Sequence, residues 1–397
     1  MPEPLSATIG WSDKADALQA GREAARAAMA KVSVRSPRFA FVFGSSWFDQ
    51  WHLLQGVRVG LGTTPLIGGS TAGEIIPDGP ISHSCVVLLI TSELLTWGVG
   101  AAEQVERAPR EAGQRAAYVA TRSLRSTQRI GFILFGDGLV TNFADVVRGI
   151  QEVVGTSSLI AGAMAGDDLR FAQTSQYVND RVLSGGVVGV LLGGTGTLGI
   201  GMGHGFAPIS KPRAITRAQA NVILELDHHP AASVYEEYFG ADLVAQMRHE
   251  GPTRQTIAYP LGIKCEETDQ WLLRNVVSFR EDGSLACSGE IPEGAWLQLM
   301  ISSKGLALEA ARTAAQEAIR PLSRVAAVLV FDSISRRRLL GERHAAMEIA
   351  VIRQTIGSSV PLAGCYTYGE QAPVGMTSVS GRTGVQTGSV LVIALGG

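Results

Sequence analysis

Pro65-Leu-Ile-Gly68-Gly69-Ser70-Thr71-Ala-Gly73-Glu74-Ile-Ile-Pro77-Asp-Gly79 is the stretch that decides how this chain is read, because the chain repeats it. It returns as Pro361-Leu-Ala-Gly364-Cys365-Tyr366-Thr367-Tyr368-Gly369-Glu370-Gln-Ala-Pro373-Val-Gly375. Both copies read P-L-x-G-x-x-T-x-G-E-x-x-P-x-G, eight identities without a gap. A weaker copy, Leu159-Ile160-Ala-Gly162-Ala-Met164-Ala165-Gly166-Asp167, lies between them and, in the same register, sets Asp167 in place of Glu. Repetition of this kind points first to repeated structural units.

The surroundings repeat as well. Upstream of each copy stands a short apolar run ending in a turn: Phe39–Ser45, Ile130–Asp137 and Val325–Ser333. Such runs suit strands buried on both faces. A second run follows each copy, at Cys85–Ile90, Val187–Leu192 and Val390–Leu395. Each interval leaves room for a helix. The expected fold is therefore α/β, with repeated helix-strand-helix-strand-strand units forming helix-covered sheets. Between His204 and Met300 the pattern breaks, which marks an inserted α+β segment.

Composition narrows the class. Of 397 residues, 46% are hydrophobic and 18% charged, and the net charge is −2. This describes a globular protein and gives no electrostatic case for nucleic acid. Four cysteines are scattered without a C-x-x-C pair, so neither a disulfide framework nor a cysteine zinc site is indicated and a reduced, cytoplasmic setting is expected. The longest uncharged stretch, Val182–Gly203, is broken by Gly-Gly pairs and reads as two strands in a hairpin rather than a membrane span.

Along the chain, Ser12-Asp13 is expected to cap a helix with an apolar face of Leu18, Ala25, Met29 and Val32. Trp47, Phe48 and Trp51 are expected in the core. Helices are expected at Glu111–Arg125, Asn142–Val154, Leu306–Ile319 and Arg337–Ile356. Asp227-His228-His229-Pro230-Ala231 reads as a helix start. Strands are expected at Ala220–Leu226, Val276–Phe279 and Trp296–Ile301.

The motif suggests chemistry. A Gly-rich turn after a strand brings backbone N–H groups close to a ligand, at the end of an α/β sheet where pockets form. Thr71 and Thr367 each precede a carboxylate, Glu74 and Glu370, by three residues. Hydroxyl and turn amides suit a carboxylate ligand and Glu suits an ammonium, so a free amino acid or similar zwitterion fits. The candidate ligand-binding set is Gly69, Ser70, Thr71, Gly73, Glu74, Tyr366, Thr367, Gly369 and Glu370. Arg337, from Arg336-Arg337-Arg338, joins it as an anion contact or partner of Glu370. The alternative stays open: Thr closes the turn, and Glu caps backbone or pairs with Arg. Asp167 reads as structural. Cys365 has no neighbouring His and reads as buried and inert. Adjacent His228 and His229 splay apart, which speaks against a shared metal.

Gly68-Gly-Ser-Thr-Ala-Gly-Glu-Ile75, Leu159-Ile-Ala-Gly-Ala-Met-Ala-Gly-Asp-Asp168 and Tyr366-Thr-Tyr-Gly-Glu370 together resemble the signatures of the FIST family, and Ala214-Ile-Thr216 through Leu226-Asp227-x-x-Pro230-Ala231 resembles its junction. The resemblance implies an N-terminal helix over 1–36, a FIST N-type domain over 37–225 and a FIST C-type domain over 226–397. It also implies an intracellular sensor of a small-molecule ligand, working with a separate signalling protein such as a kinase, cyclase or receptor. Haem-dependent nitric oxide sensing is one alternative, with His204 as the candidate ligand to haem. An enzyme using Glu74 or Glu370 as base is another, although no nucleophile elbow, P-loop, HExxH or dinucleotide fingerprint is present. The chain departs from the family at Ser333, where Cys is common after Asp, and at Gly384-Val-Gln386-Thr387, where an Asn-x-Thr-like element is common.

Overall fold

Three units of the same build, joined in a ring, make up the body of the protein. The computed structural model describes residues 5–32, 38–250, 254–265, 270–373 and 383–397; Val374-Gly375 of the repeated motif lie outside them. The first unit runs strand Ser6–Ser12, helix Ala17–Met29, strand Arg38–Ser45, helix Gln50–Leu61, strand Leu66–Thr71, hairpin Glu74–Ile76 with Gly79–Ile81, and strand Cys85–Thr91. The second repeats this with Leu95–Glu103, Pro109–Ser123, Arg129–Gly136, Phe143–Val154, Leu159–Met164, the hairpin Gln176–Val178 with Arg181–Leu183, and Gly186–Gly194. The third uses Thr197–Gly203, Lys304–Ile319, Val325–Ser333, Ile334–Ile356, Leu362–Thr367, the hairpin Gly369–Pro373 with Thr383–Gln386, and Val390–Gly396. The α/β class is as the sequence implies.

Each unit gives its hairpin away. The first unit's hairpin pairs with Leu362–Thr367 of the third, the second's with Leu66–Thr71 of the first, and the third's with Leu159–Met164 of the second. The sheet of each unit therefore has six strands, four of its own and two borrowed. Three backbone hydrogen bonds close the ring: Ala72 N–H to Tyr366 O (2.9 Å), Gly166 N–H to Ser70 O (3.1 Å) and Tyr368 N–H to Met164 O (3.1 Å). Behind them Phe43, Phe135 and Phe331 meet with ring centroids 5.7, 5.9 and 6.1 Å apart. Their mutual edge and tilted contacts anchor the shared core.

This ring corrects the register of the middle copy. Ala72, Gly166 and Tyr368 are equivalent, so Ala165 rather than Met164 stands where Thr71 and Thr367 stand. The longer loop 166–175 follows, and Gln176, not Asp167, opens the hairpin as Glu74 and Glu370 do. Gln176 Oε1 accepts from Gly186 N–H (3.0 Å), as Glu74 and Glu370 accept from Ser84 and Ser389 N–H.

Small residues let each unit's first helix lie flat on its edge strand. Ala24 and Ala28 lie against the first strand at Gly10, and Ala310, Ala314 and Ala318 against the third unit's at Gly203, Gly201 and Gly199. A side chain at Gly10, Gly100 or Gly201 would run into the backbone of Ala24, Ala116 or Ala314. Several sequence expectations change. The first helix is capped by Asp16, not Ser12-Asp13, and buries alanines rather than Leu18 and Met29. Strand Ser6–Ser12, unforeseen, completes that unit. Trp47 and Trp51 are 67% and 52% exposed, and of that cluster only Phe48 is buried. Gly186–Gly194 and Thr197–Gly203 are not a hairpin but belong to different sheets, where the chain passes from second unit to third. His229–Pro230 is a short strand after a tight turn, and the helix starts at Ser233.

The insert interrupts the third unit after its first strand. It has its own antiparallel sheet, with Trp296–Ser302 pairing both Leu261–Lys264 and Phe206–Pro208, and its own core around Tyr235, Phe279 and Leu297.

Candidate functional site

The repeated acids do not stand at a rim. Thr71, Glu74, Thr367 and Glu370 are all fully buried. Thr71 Oγ1 donates to Glu74 Oε1, and Ser84 satisfies Glu74 Oε2 through its N–H (3.1 Å) and hydroxyl (2.6 Å). The third unit repeats this: Thr367 Oγ1 donates to Glu370 Oε1 (2.7 Å), and Ser389 to Oε2 through N–H (3.3 Å) and hydroxyl (2.7 Å). Burial pushes both carboxyls up to about 7, against the hydroxyl and N–H donors that favour ionisation. Ser70 is spent on the backbone, accepting from Ser175 N–H and donating to Gly166 O at 2.9 Å each. Gly69 leaves room for the Phe135 ring, and Gly73, at φ 119°, leaves room for Arg337. Gly369 stands opposite Met164 in the ladder between the third and second units. The motif binds one unit to the next.

Asp167 is structural. It accepts from the N–H groups of Phe171, Ala172 and Gln173 and from the Tyr368 hydroxyl. Burial opposes its charge, but Tyr368 and these amides outweigh it and hold the carboxyl below its usual range. Cys365 is buried, and burial with the nearby Glu74 and Glu370 carboxyls pushes its thiol far up, so it is no thiolate.

Of the three consecutive arginines it is Arg336, not Arg337, that turns inward. Arg337 lies over the Tyr366 ring at 5.0 Å and bonds Ser82 and Glu342. Arg336, buried, meets Asp332 at 3.0 Å and Glu348, and donates to the carbonyls of His204 (2.5 Å) and Ala307 (3.0 Å). Burial, then Glu348, raise the Asp332 carboxyl, while Arg336 lowers it. Among the described residues the Tyr366 hydroxyl, both Asp332 oxygens and Glu348 Oε2 lack hydrogen-bond partners. Asp332 replaces glycine: it pairs with Val390 at the start of its unit's last strand, as Gly44 pairs with Cys85 and Gly136 with Val187.

Beside this network opens a groove of about 700 Å³. Strand Thr197–Gly203 forms its floor. Leu306, Glu309, Thr313 and Glu317 of helix Lys304–Ile319 and Arg320 at its C-cap form one wall, Ala372, Pro373 and Gln386 the other, and Trp271 of the insert closes in. Buried Gln386 Oε1 has no partner among the described residues. His204 joins groove to network, since its ring lines the one and its carbonyl accepts from the other. No sequence signal marked this groove, because its floor, its two walls and Trp271 come from separate segments of the chain.

His204 does not fit an axial haem ligand. Its Nδ1 accepts from Phe206 N–H (2.9 Å), which leaves the ring proton on Nε2. A ligating histidine needs the reverse, a donating Nδ1–H and a free Nε2. Burial and the Arg336 charge push its pKa down to about 4, so it is neutral. Among the described residues no group of three or more His, Cys, Asp or Glu is placed to hold a metal.

Comparison with known families settles the relationship. The FIST N domain matches residues 38–229 and the FIST C domain residues 231–373. The chain belongs to the FIST family. Domains of this family are associated with ligand binding in sensory and signal-transduction proteins. No curated protein matches the chain. Among solved structures it is similar to a cyanuric acid hydrolase at 8% identity and TM-score 0.36, covering 99% of this chain and 100% of that one. A cyanuric acid hydrolase from A. caulinodans gives 11% and 0.35, over 98% and 99%. PurLQS from Thermotoga maritima gives 11% and 0.22, over 99% and 72%. Likeness at this level carries no chemistry to this FIST protein. Among the described residues no helix is long and apolar enough to cross a membrane.

Proposed function

We propose that this FIST protein is an intracellular small-ligand sensor whose ligand, an amino acid or similar zwitterion, occupies the groove over strand Thr197–Gly203. The observation that carries this reading is the groove itself: its volume of about 700 Å³ falls in the range of ligand sites, and its apolar floor carries a few convergent polar groups. Glu309 and Glu317 suit an ammonium, and Arg320 suits a carboxylate. The repeated Thr–Glu motif locks the ring and holds the groove's walls in place. It reaches the ligand only through structure.

Signal leaves by way of Arg336. One guanidinium ties His204 at the groove to Ala307 in the wall helix and to Glu348 in the next helix. A ligand that moves the wall biases this buried network, and a separate kinase, cyclase or receptor reads the shifted population. A thermal-shift panel of amino acids and related zwitterions tests the proposal. A stabilising ligand whose effect is lost in Ala310→Trp, which fills the groove, supports it. A ligand that stabilises this variant equally refutes the site.

A further inference from the structure

Among the described residues the floor of the groove is a sheet edge: strand Thr197–Gly203 pairs only with Val390–Gly396. In strand Val390–Gly396 the odd-numbered positions face Val325–Ser333, because Arg324 and Gly397 exchange N–H to carbonyl bonds (3.1 and 3.3 Å) and Ser333 N–H donates to Ser389 O (2.9 Å). The even positions 390, 392, 394 and 396 therefore face Thr197–Gly203, where they pair with Gly203, Gly201, Gly199 and Thr197. Backbone groups alternate sides along a strand, so the N–H and C=O of Leu198, Ile200 and Met202 turn the other way, into the groove. The Met202 N–H meets the Glu317 carboxyl. Leu198 and Ile200 have no backbone partner on that side among the described residues.

We propose that the ligand is a short peptide, bound in extended form as an added strand antiparallel to Thr197–Gly203. This rests on the groove reading above and names its ligand. Only another backbone offers donors and acceptors at the two-residue spacing that this edge presents. Within strand Thr197–Gly203 itself there is no charged residue, proline or bulge to repel an added strand, and Glu317 covers its Met202 end alone among the described residues. Charge fixes the direction. The wall helix runs opposite to the strand, with Gly199 against Ala318, Gly201 against Ala314 and Gly203 against Ala310. Arg320 thus lies by the start of the strand and Glu309 by its end. An antiparallel peptide sets its ammonium by Glu309 and its carboxylate by Arg320, whereas a parallel one sets like charges together. From Leu198 to Gly203 the edge spans six residues at ~3.3 Å each.

The test passes a random hexapeptide pool with free termini over the immobilised full-length protein and over Ile200→Pro, which removes one groove-facing N–H and leaves the ladder to Val390–Gly396 intact. At least tenfold enrichment on the wild type over the variant is expected. The best-retained peptide is then remade with single N-methyl amides and titrated against wild-type protein, so that the outcome does not depend on folding of the variant. Affinity should fall at least tenfold at every second amide and little at those between, and N-acetylation should weaken binding. No enrichment, or N-methyl effects without a period of two, overturns the proposal. If an amino acid stabilises wild type and Ile200→Pro alike but not Ala310→Trp, strand addition fails while the small-ligand reading stands. If nothing responds to Ala310→Trp, both fail.

Discussion

Replacing Glu74 and Glu370 by glutamine tests whether the motif acids are neutral structural groups. The second unit already carries this exchange, since Gln176 accepts from Gly186 N–H and donates to Thr174. Each Glu rises from 4.5 to about 7 by burial. At ~1.36 kcal/mol for each tenfold change in proton affinity, ionising one buried acid costs the fold about 3 kcal/mol. The folded pKa is the raised one, so its contribution is full below 4.5 and is lost as pH rises through 7. Glutamine has no such proton. The stability of Glu74→Gln minus that of wild type should therefore climb with pH, by about 2.5 kcal/mol between pH 5 and 8.

Only the difference is diagnostic. His204 works in the opposite sense, because its folded pKa, about 4, lies below the usual 6.5. Its stabilisation is present above 6.5 and is lost as pH falls toward 4. Urea unfolding of wild type, Glu74→Gln and Glu370→Gln across pH 5 to 8 cancels that term by subtraction. Difference curves flat to within ~0.5 kcal/mol, smaller than a single hydrogen bond, would show that the carboxylates are not burdened by burial, and the account of the motif as a neutral lock would fall.

Three further outcomes follow from the packing. Arg336→Met strands Asp332 and Glu348 without their cation and should cost about 3–5 kcal/mol in urea unfolding; Arg336→Lys should recover little, since one ammonium cannot serve two carboxylates and two carbonyls. Gln371 is fully buried with neither amide atom hydrogen-bonded among the described residues, so Gln371→Met should raise stability by ~1–2 kcal/mol, read as an increase in Tm. Gly201→Val drives a side chain into the Ala314 backbone and should cost roughly 3 kcal/mol while also disturbing the groove, so a normal Tm would contradict the described helix seat.

Periodicity and repetition made the units legible. Phe39–Ser45 and Val325–Ser333 read as strands because continuous apolar runs between turns have few other uses, and the Thr–Glu repeat announced equivalent positions. The middle copy misled because an ungapped register was the simplest alignment. The longer loop 166–175 hides Gln176 from any reading that expects the acid three residues after the turn. Hairpin exchange was invisible, since pairing between units leaves no mark on local pattern. The site was read least well. A hydroxyl three residues before a carboxylate fits a ligand and fits a self-satisfied turn equally, and only burial separates them. Arg337 drew attention over Arg336 because adjacent arginines on a helix start differ only in the direction they face, which tertiary packing decides.

The departures from threefold repetition gather in one place, and that argues for where the work is done. Strand ends in the first two units carry Gly44 and Gly136, crowded by Leu53 and by Phe143; the third carries Asp332 with Arg336 and Glu348 in a buried polar network. The insert enters the third unit only, between its edge strand and the helix that seats on it, and contributes Trp271 to the groove there. A ring held for stability alone gains nothing from a buried ion cluster, which hydrophobic side chains would match or better. Asp332, Arg336 and Glu348 are therefore better explained as the coupling between the groove and the helices behind it. Replacing all three together by Leu, Met and Leu should leave the fold as stable or more so, while ligand binding no longer alters protection of Ile334–Ile356 in hydrogen exchange. Unchanged coupling in that triple variant would return the network to a purely structural role.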